Sequence, residues 1–344
     1  MSARKIAVLG AGANGASIGA DLTRAGLDVV LIDQWPEHVA ALRKNGARIE
    51  MPDEVLVQPV RAFNLCDVTT FREPFDIVLL VAKAYDTRWH CQLIEPYLKS
   101  DGLLAGVQNG MTVDTIAEVV GPHRTMGCVI EISSMMFDPG IVHRHSPPSR
   151  SWFAVGSIDP ATRGREHEIA DLLKLAGSVE VVDDIRSAKW MKLVSNATTL
   201  VTTAILGVPM IEAEAMPGMR ELMLRSGQEA LDAGIASGRK VLPIFGLKAE
   251  DMRQSNRLVE TLLDTLLAGF VLPNTKTTVL QDWMKGRHSE VDNINGEVVS
   301  AMVRQGGKAP VNAAVVELAR RIEQGTLQPG PGNLALLRML AGQA

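Results

Sequence analysis

The sequence predicts two domains, an α/β domain over residues 1–183 and an all-α domain over residues 184–344. A chain of 344 residues exceeds what one hydrophobic core usually supports, so two domains are expected. In the first part, short apolar runs alternate with helical stretches, which is the pattern of a parallel sheet with crossover helices. In the second part, helical spacing continues almost unbroken between the proline and glycine residues that start and end helices.

The first predicted elements are a strand, a tight turn and a helix. The apolar run "RKIAVL", residues 4–9, stops at "GAGANG" before the helical stretch "ASIGADLTRAG". The glycines follow the spacing G-x-G-x-x-G, in which the first permits the turn, the second lets a pyrophosphate approach the backbone, and the third lets the helix pack on the strand. This pattern predicts a Rossmann-type dinucleotide-binding turn. Its candidate cofactor-binding residues are Gly10, Gly12, Ala13, Asn14 and Gly15.

The next predicted strand ends in an acidic residue that indicates which cofactor binds. The run "LDVVLID" ends at Asp33, eighteen residues beyond Gly15, where a carboxylate can accept both ribose hydroxyls of an adenosine. A 2'-phosphate would be repelled by this carboxylate, and the neighbouring Gln34 offers no compensating cation. The sequence therefore favours NAD over NADP.

Two further buried strands carry polar residues at their ends. "FDIVLLVAK" ends in Lys83, and "GLLAGVQNG" carries Asn109 near its end. Ligands of open α/β sheets bind at the carboxyl ends of the strands, so their shared position favours a ligand site. Taken alone, Lys83 could be a solvated strand terminus and Asn109 part of an ordinary turn.

Beyond residue 121, short alternating runs predict antiparallel strands added to the parallel core. These runs are "RTMGCVIEISSMMF", "GIVHRHS" and "SWFAVGS". His143 and His145 lie two residues apart on one predicted strand face. No third ligand is evident in the sequence, so a structural role is preferred and no metal site is predicted.

The second domain opens with a helix that carries polar residues among apolar ones, "KWMKLVSNATTLVTTAILGVP" at residues 189–209. Its predicted core stripe consists of Trp190, Val194, Ala197 and Val201. Its other predicted face consists of Lys192, Asn196, Thr199 and Thr203. Because Lys192 and Asn196 are four residues apart, they point the same way and could hold one small ligand together. The alternatives are a solvated lysine and a core asparagine with its amide satisfied.

Composition excludes several classes of protein. The chain is 46% hydrophobic and 22% charged with a formal net charge of -4, which is typical of a globular protein without affinity for nucleic acid or anionic membrane. It contains no apolar run of the roughly 18 to 20 residues that span a bilayer. Its three cysteines are widely spaced, which predicts neither a disulfide framework nor a zinc site. A cytoplasmic protein acting on a small molecule is expected.

The ordered motifs of the chain resemble those of the ketopantoate reductase (2-dehydropantoate 2-reductase) family. They are the glycine-rich turn, Lys83, "QNGM", "KWMKLVSNA", "LQDWMKGRHSEVDNINGEVV" and "GGKAPVN". The resemblance implies a Rossmann domain over residues 1–183 and a helical domain for substrate binding and dimerisation over residues 184–344, with substrate and nicotinamide in the cleft between them. It also implies a small carboxylic acid as substrate and a homodimer.

The resemblance also implies roles for individual residues. The catalytic group would comprise Lys192, Asn196 and Glu290, and Glu290 would also contact the cofactor. Lys83 and Asn109 would lie on the cofactor side. The substrate would be bound by Asn109, Lys192, Asn196 and the hydroxyl of Thr278, and the neighbouring Thr277 is a further substrate-binding candidate from its position at a predicted helix start.

The chemistry of these residue types agrees with such roles. Hydride transfer to a ketone builds negative charge on the oxygen, which an ammonium group such as Lys192 can stabilise and then protonate. Thr277 and Thr278 lie at a predicted helix start, where hydroxyl and backbone N–H groups could hold a carboxylate. A plain helix cap is the alternative for the threonines, and a first-turn acid is the alternative for Glu290.

Three departures from the family pattern bear on the substrate and the cofactor. Leu200 and Thr275 stand where members of the pantoate pathway commonly have asparagine, and Asp33 stands in a family that typically favours NADPH. A less hydroxylated or bulkier substrate is therefore expected. The sequence thus predicts an NAD-dependent dehydrogenase for a small 2-oxo acid and its 2-hydroxy acid, with Lys192 as general acid and base. The alternatives are a β-hydroxyacid or opine-type dehydrogenase, and a non-catalytic NAD(H) sensor.

Overall fold

A computed structural model of the chain describes residues 4–250 and 257–342. The chain divides into two compact units, Met1–Arg186 and Ser187–Ala344. The division falls in the first turn of a helix, close to the boundary predicted after residue 183. No helix in the described ranges is both long and apolar enough to cross a membrane.

The first unit contains the strands and five of the α-helices of the described chain. Its strands are β1 (Lys5–Leu9), β2 (Asp28–Asp33), β3 (Ala47–Glu50), β4 (Val55–Gln58), β5 (Arg61–Asn64), β6 (Phe75–Leu80), β7 (Leu98–Val107), β8 (Thr125–Glu131), β9 (Ser134–Met135), β10 (Ile141–Arg144), β11 (Trp152–Ser157) and β12 (Ser178–Val181). Its helices are α1 (Ala13–Arg24), α2 (Pro36–Asn45), α3 (Thr87–Ile94), α4 (Val113–Val120) and α5 (Glu166–Leu173).

The strands of the first unit form an eight-stranded and a four-stranded sheet. The larger sheet has the order β12-β11-β8-β7-β6-β1-β2-β5, and its neighbours from β8 to β5 all pair in parallel. The chain builds outward from β1 to β2 and β5 on one side, and then from β6 to β7 and β8 on the other. The strand order therefore reverses between β1 and β6, and a parallel sheet binds ligands beyond the carboxyl ends of its strands at such a point. The predicted α/β fold is confirmed.

The sequence of strand β1 is a continuous apolar run because both of its faces are buried. Ile6 and Val8 belong to the core on one face of the sheet, and Ala7 and Leu9 to the core on the opposite face. Because helices cover both faces, every residue from Ile6 to Leu9 is buried.

The prediction of antiparallel strands beyond residue 121 is partly wrong. Strand β8 pairs in parallel with β7, and β10 pairs in parallel with β3 in the smaller sheet, whose order is β4-β3-β10-β9. Only the β11–β8 and β10–β9 pairs among these strands are antiparallel. Alternating hydrophobicity reports which face of a strand is buried, and the direction of its neighbour depends on residues distant in sequence.

The second unit is helical, as predicted. Helix α6 (Ile185–Ala204) begins just before it, and the other helices are α7 (Met210–Glu214), α8 (Met219–Ala236), α9 (Leu258–Phe270), α10 (Thr278–Met284), α11 (Asn295–Arg304), α12 (Pro310–Glu323) and α13 (Asn333–Leu340). Residues from most of these helices, including the second half of α6, form one hydrophobic core.

Helix α6 is buried on both of its predicted faces. The apolar stripe is buried, and so are the polar positions. The hydroxyls of Thr199 and Thr203 donate to the carbonyl oxygens four residues earlier, at 2.9 and 2.7 Å, so both threonines are satisfied within the helix. Lys192 and Asn196, the other two residues of that face, are buried as well.

Candidate functional site

The glycine-rich turn lies between β1 and α1, at the switch point of the sheet. Gly10 has φ +93°, and a Cβ added there would lie 2.6 Å from the backbone nitrogen of Ala82. A Cβ on Gly15 would lie 2.0 Å from the carbonyl oxygen of Gly10. A Cβ on Gly12, in contrast, would meet no described atom within 4 Å. The fold itself requires the first and third glycines, while the second leaves open space at the start of α1, which fits a pyrophosphate.

Two contacts that the sequence did not reveal hold this turn. The buried imidazole of His38 accepts from the backbone N–H of Gly140 at Nδ1, 2.9 Å away, so its Nε2 donates to the carbonyl of Ala11 at 2.8 Å. Asn14 is oriented by Ser134, whose hydroxyl donates to the Asn14 Oδ1 at 2.6 Å. No local pattern signals His38, because its partners are 27 and 102 residues away.

Asp33 lies at the carboxyl end of β2, directly beside the turn. The backbone N–H of Gly10 donates to the carbonyl of Ile32 at 2.8 Å, which places the glycine next to the end of β2. The Asp33 carboxylate is buried and accepts a hydrogen bond from the backbone N–H of Trp35 at 2.9 Å through Oδ1. Asp33 therefore has a local structural role in addition to its predicted one.

Lys83 and Asn109 follow neighbouring strands at the same level. Leu80 of β6 pairs with Gly106 of β7, and each of the two polar residues lies three positions further along. The buried side chain of Gln108 connects the two strand ends, because its amide donates to the carbonyl of Ala82 at 2.8 Å. Gln108 belongs to the "QNGM" motif, yet its connecting role was not predicted.

The second unit contains the other predicted site residues. Lys192 is 7% exposed and Glu290 is 4% exposed, and Asn196 is fully buried one turn along α6 from Lys192. The Nζ of Lys192 lies 5.1 Å from the centre of the Phe245 ring. Glu290 precedes α11 by five residues, in a turn where its carbonyl accepts from the backbone N–H of Asn293 at 3.0 Å. It is therefore not a first-turn acid of that helix.

Two segments of the second unit are bonded to α6 close to Asn196. The hydroxyl of Thr277 donates to the carbonyl of Leu200 at 3.0 Å, and the amide of Asn295 donates to the carbonyl of Ala197 at 3.3 Å. These bonds bring the start of α10 and the start of α11, which follows Glu290 by five residues, to the same helix within about one turn of Asn196.

The structure distinguishes between the two predicted threonines. Thr277 is the N-cap of α10, where its hydroxyl also accepts from the backbone N–H of Leu280 at 3.2 Å. The Thr278 hydroxyl is buried and has no hydrogen-bond partner within residues 4–250 and 257–342. A buried hydroxyl without a partner is costly, so the Thr278 hydroxyl is the one available to a ligand.

His143 and His145 do not share a strand face, contrary to the prediction. The Nδ1 of His143 in β10 lies 3.1 Å from the Glu50 carboxylate. His145 follows the end of β10 and is buried, and burial lowers its pKa. In the described part of the chain, no three His, Cys, Asp or Glu side chains are grouped so that they could hold a metal ion.

A parallel sheet with a glycine-rich turn at its switch point is the arrangement of a dinucleotide-binding protein, and in this chain it is followed by a helical unit with a buried lysine and asparagine one turn apart. Residues 6–157 match the family model "Ketopantoate reductase PanE/ApbA", and residues 184–323 match "Ketopantoate reductase PanE/ApbA C terminal". The chain belongs to the ketopantoate reductase family, as its motifs predicted.

Individual relatives cover nearly the whole chain. A 2-dehydropantoate 2-reductase of Archaeoglobus fulgidus is 25% identical over 329 residues, which are 94% of this chain and 100% of the relative. A 2-dehydropantoate 2-reductase of Mesorhizobium japonicum is 28% identical over 340 residues, which are 92% of this chain and 97% of the relative.

Solved structures share the fold. A PanE/ApbA family ketopantoate reductase from Ralstonia eutropha JMP134 is 26% identical with a TM-score of 0.77, covering 93% of this chain and 99% of that one. The ternary structure of D-mandelate dehydrogenase with NADH and anilino(oxo)acetate has a TM-score of 0.82 over the same shares at 20% identity. At that identity the likeness establishes the fold alone.

Proposed function

We propose that the protein is an NAD-linked dehydrogenase that interconverts a small 2-oxo acid, of the ketopantoate type, and its 2-hydroxy acid. The observation that carries this proposal is the buried ammonium of Lys192, one helical turn from the buried amide of Asn196, in a chain that belongs to an oxidoreductase family. Charged side chains are rarely buried, and a buried ionisable group one helical turn from a buried polar one marks a candidate functional site.

The residues of the first unit fit a dinucleotide. The open space at Gly12 supports a close approach of the pyrophosphate to the start of α1. In this proposal the pyrophosphate is held by Gly10, Gly12, Ala13, Asn14 and Gly15, the adenosine ribose by Asp33, and the remainder of the cofactor by Lys83 and Asn109. A bound reduced nicotinamide supplies the hydride that the carbonyl carbon receives.

Lys192 is the general acid and base of the reaction. Its Nζ–H donates to the keto oxygen, where negative charge develops during reduction, and then transfers a proton to that oxygen. In the oxidation direction, neutral Nζ accepts the hydroxyl proton. Asn196 orients the acid from the next turn, Glu290 holds the ammonium in place, and the Thr278 hydroxyl binds the carboxylate.

Replacing Lys192 tests this role. Lys192→Met keeps the length of the side chain and removes the ammonium, so turnover of NADH with ketopantoate and a panel of 2-oxo acids should fall at least about 100-fold. Thr199→Val is the matched control, because the Thr199 hydroxyl donates to the Ser195 carbonyl of its own helix at 2.9 Å, and this variant should retain turnover. Retained turnover in Lys192→Met would refute the proposal.

The preference for NAD rests on Asp33. Asp33→Asn keeps an oxygen that can accept the Trp35 N–H and removes the charge that repels a 2'-phosphate. We expect the kcat/KM ratio of NADPH to NADH to rise at least about tenfold, which corresponds to about 1.4 kcal/mol. A parent enzyme that already prefers NADPH would contradict the assignment.

The helical unit is also proposed to form a homodimer. Sedimentation at several protein concentrations tests this, and a single species at the mass of one chain would refute it.

A further inference from the structure

Phe245 has a backbone conformation that its residue type disfavours. Its φ is +63°, and it is the only non-glycine residue with positive φ in the described ranges. The Cβ of an L-residue is crowded in this region, so glycine would be preferred if only the chain direction mattered. Such strained residues persist where the surrounding structure holds them, and they concentrate at functional sites.

The strained backbone places an aromatic ring beside the proposed catalytic ammonium. The Phe245 side chain is 8% exposed, its ring centre lies 5.1 Å from the Nζ of Lys192, and 5.5 Å separates it from the ring centre of Phe270 at the end of α9. The first distance is within the range of a cation–π contact, and the second is that of an aromatic pair. Within the helical unit, the Phe245 ring therefore contacts both the Lys192 ammonium and the Phe270 ring.

Two threonine hydroxyls that precede α10 are engaged by the protein itself. The Thr275 hydroxyl accepts from the backbone N–H of Leu272 at 2.9 Å, and the Thr277 hydroxyl caps α10 and donates to the carbonyl of Leu200. The side chain of Leu200 is apolar. Of the three threonines from 275 to 278, only Thr278 has a buried hydroxyl with no partner among the described residues.

We propose that Phe245 and Phe270 form the wall that contacts the substrate side chain, and that the preferred substrates are 2-oxo acids with an aromatic side chain. This inference rests on the proposed function, in which Nζ of Lys192 binds the keto oxygen. A hydrogen bond of about 2.9 Å and a C=O bond of about 1.2 Å place the substituted carbon about 4 Å from Nζ. The Phe245 ring centre lies 5.1 Å from the same Nζ, so a substrate bound on the ring side of the ammonium would place a substituent on that carbon against the ring.

Binding without turnover tests the wall separately from catalysis. Mandelate and lactate cannot react with the reduced cofactor, so each can be titrated by calorimetry into protein saturated with NADH. We expect mandelate to bind at least tenfold more tightly than lactate. Equal affinity for the two acids would overturn the inference.

Variants of the wall provide the second test. Phe245→Gly removes the ring and accepts the positive φ without strain, so it should fold normally. It should weaken the binding of mandelate at least tenfold and change the affinity for lactate by less than threefold. Phe270→Leu should have a smaller effect in the same direction. Equal losses for both acids would show that the rings only support the fold and would refute the proposal.

The two proposals fail in different ways. In steady-state assays with NADH, phenylglyoxylate should exceed both pyruvate and ketopantoate in kcat/KM by at least tenfold, and a preference for ketopantoate would refute the aromatic wall. Lys192→Met should abolish this turnover and keep the preference for mandelate in calorimetry. If Lys192→Met retains turnover, the proposed function is wrong, and the calorimetric comparison still decides the role of the rings.

Discussion

Substituting alanine at two glycines of the same turn should affect different properties of the protein. Gly15→Ala should lower the stability of the first unit, because the new Cβ would lie 2.0 Å from the carbonyl oxygen of Gly10. Gly12→Ala should spare stability and weaken NADH binding, because its Cβ would enter only the space left open at the start of α1. The two variants differ by three sequence positions and carry the same added methyl group.

The expected loss of stability in Gly15→Ala follows from the contact between the added Cβ and the carbonyl oxygen of Gly10. An ordinary C···O contact is about 3.3 Å, so backbone atoms must separate by more than about 1 Å. Overpacking of this kind costs about 1–3 kcal/mol, and the better helix propensity of alanine returns at most about 1 kcal/mol. The upper part of that range applies because a backbone carbonyl cannot rotate away as a side chain can. A net loss of about 2 kcal/mol corresponds to a decrease in Tm of about 4–8 °C for a unit of this size.

Gly12→Ala should lose less stability than Gly15→Ala, and its main effect should be on the affinity for NADH. Gly12 is the N-cap of α1, and alanine is a poorer N-cap, which costs less than about 1 kcal/mol. A methyl group between the backbone and the pyrophosphate should raise the Kd of NADH at least about tenfold, or about 1.4 kcal/mol.

Calorimetric unfolding and fluorescence titration with NADH measure the two properties. Unfolding of Gly15→Ala at the parent temperature would contradict the close contact at Gly15. The assignment of Gly12 to the pyrophosphate is wrong if Gly12→Ala binds NADH with the parent affinity.

Three further predictions concern the threonine pair, the packing of α8 and a buried histidine. Thr278→Val should leave Tm unchanged and raise the KM of the acid substrate about tenfold or more, because the Thr278 hydroxyl has no partner among the described residues. Thr277→Val should lose about 1 kcal/mol of stability, because it removes the N-cap of α10. Equal effects of the two variants in thermal unfolding and in kinetics would refute this distinction. Gly234→Ala should cost about 1–3 kcal/mol in urea unfolding, since its Cβ would lie 2.1 Å from the Nε1 of Trp190, and an unchanged midpoint would contradict that contact. Burial lowers the pKa of His90, so the unfolded state binds its proton first as pH falls below about 6.5, and stability should decrease towards pH 5 by up to about 1.4 kcal/mol per pH unit from this residue. His90→Gln should make the dependence of Tm on pH shallower, and an unchanged slope would exclude His90 as a cause.

The cofactor-side residues illustrate how far local sequence reasoning reaches. The spacing of Gly10, Gly12 and Gly15 predicted the turn because each glycine serves a contact within one strand, turn and helix. The support of that turn by His38 was not predictable, since the imidazole accepts from Gly140, which is 102 residues away.

In the helical unit, too, local spacing predicted part of the proposed acid-binding site, and tertiary packing decided the rest. The spacing of Lys192 and Asn196 placed them on one side of α6, because helical geometry alone determines which residues share a side. The residue types alone did not distinguish Thr277 from Thr278, since each could cap a helix, and only the family resemblance singled out the Thr278 hydroxyl for the substrate. Their roles depend on where the carbonyl of Leu200 lies, and that is decided by packing.

The sequence by itself therefore determined the elements with strong local signals: the strand, turn and helix of the first unit, its alternation of strands with helices, and the long buried helix α6. Periodicity, glycine spacing and helix-ending residues depend on neighbours in the chain, and they are legible without a structure. Only the tertiary structure decided the parallel pairing of β8, the separate four-stranded sheet and the strained Phe245 beside Lys192. Those features are fixed by contacts between segments far apart in sequence, such as those of the Phe245 ring with Lys192 and Phe270.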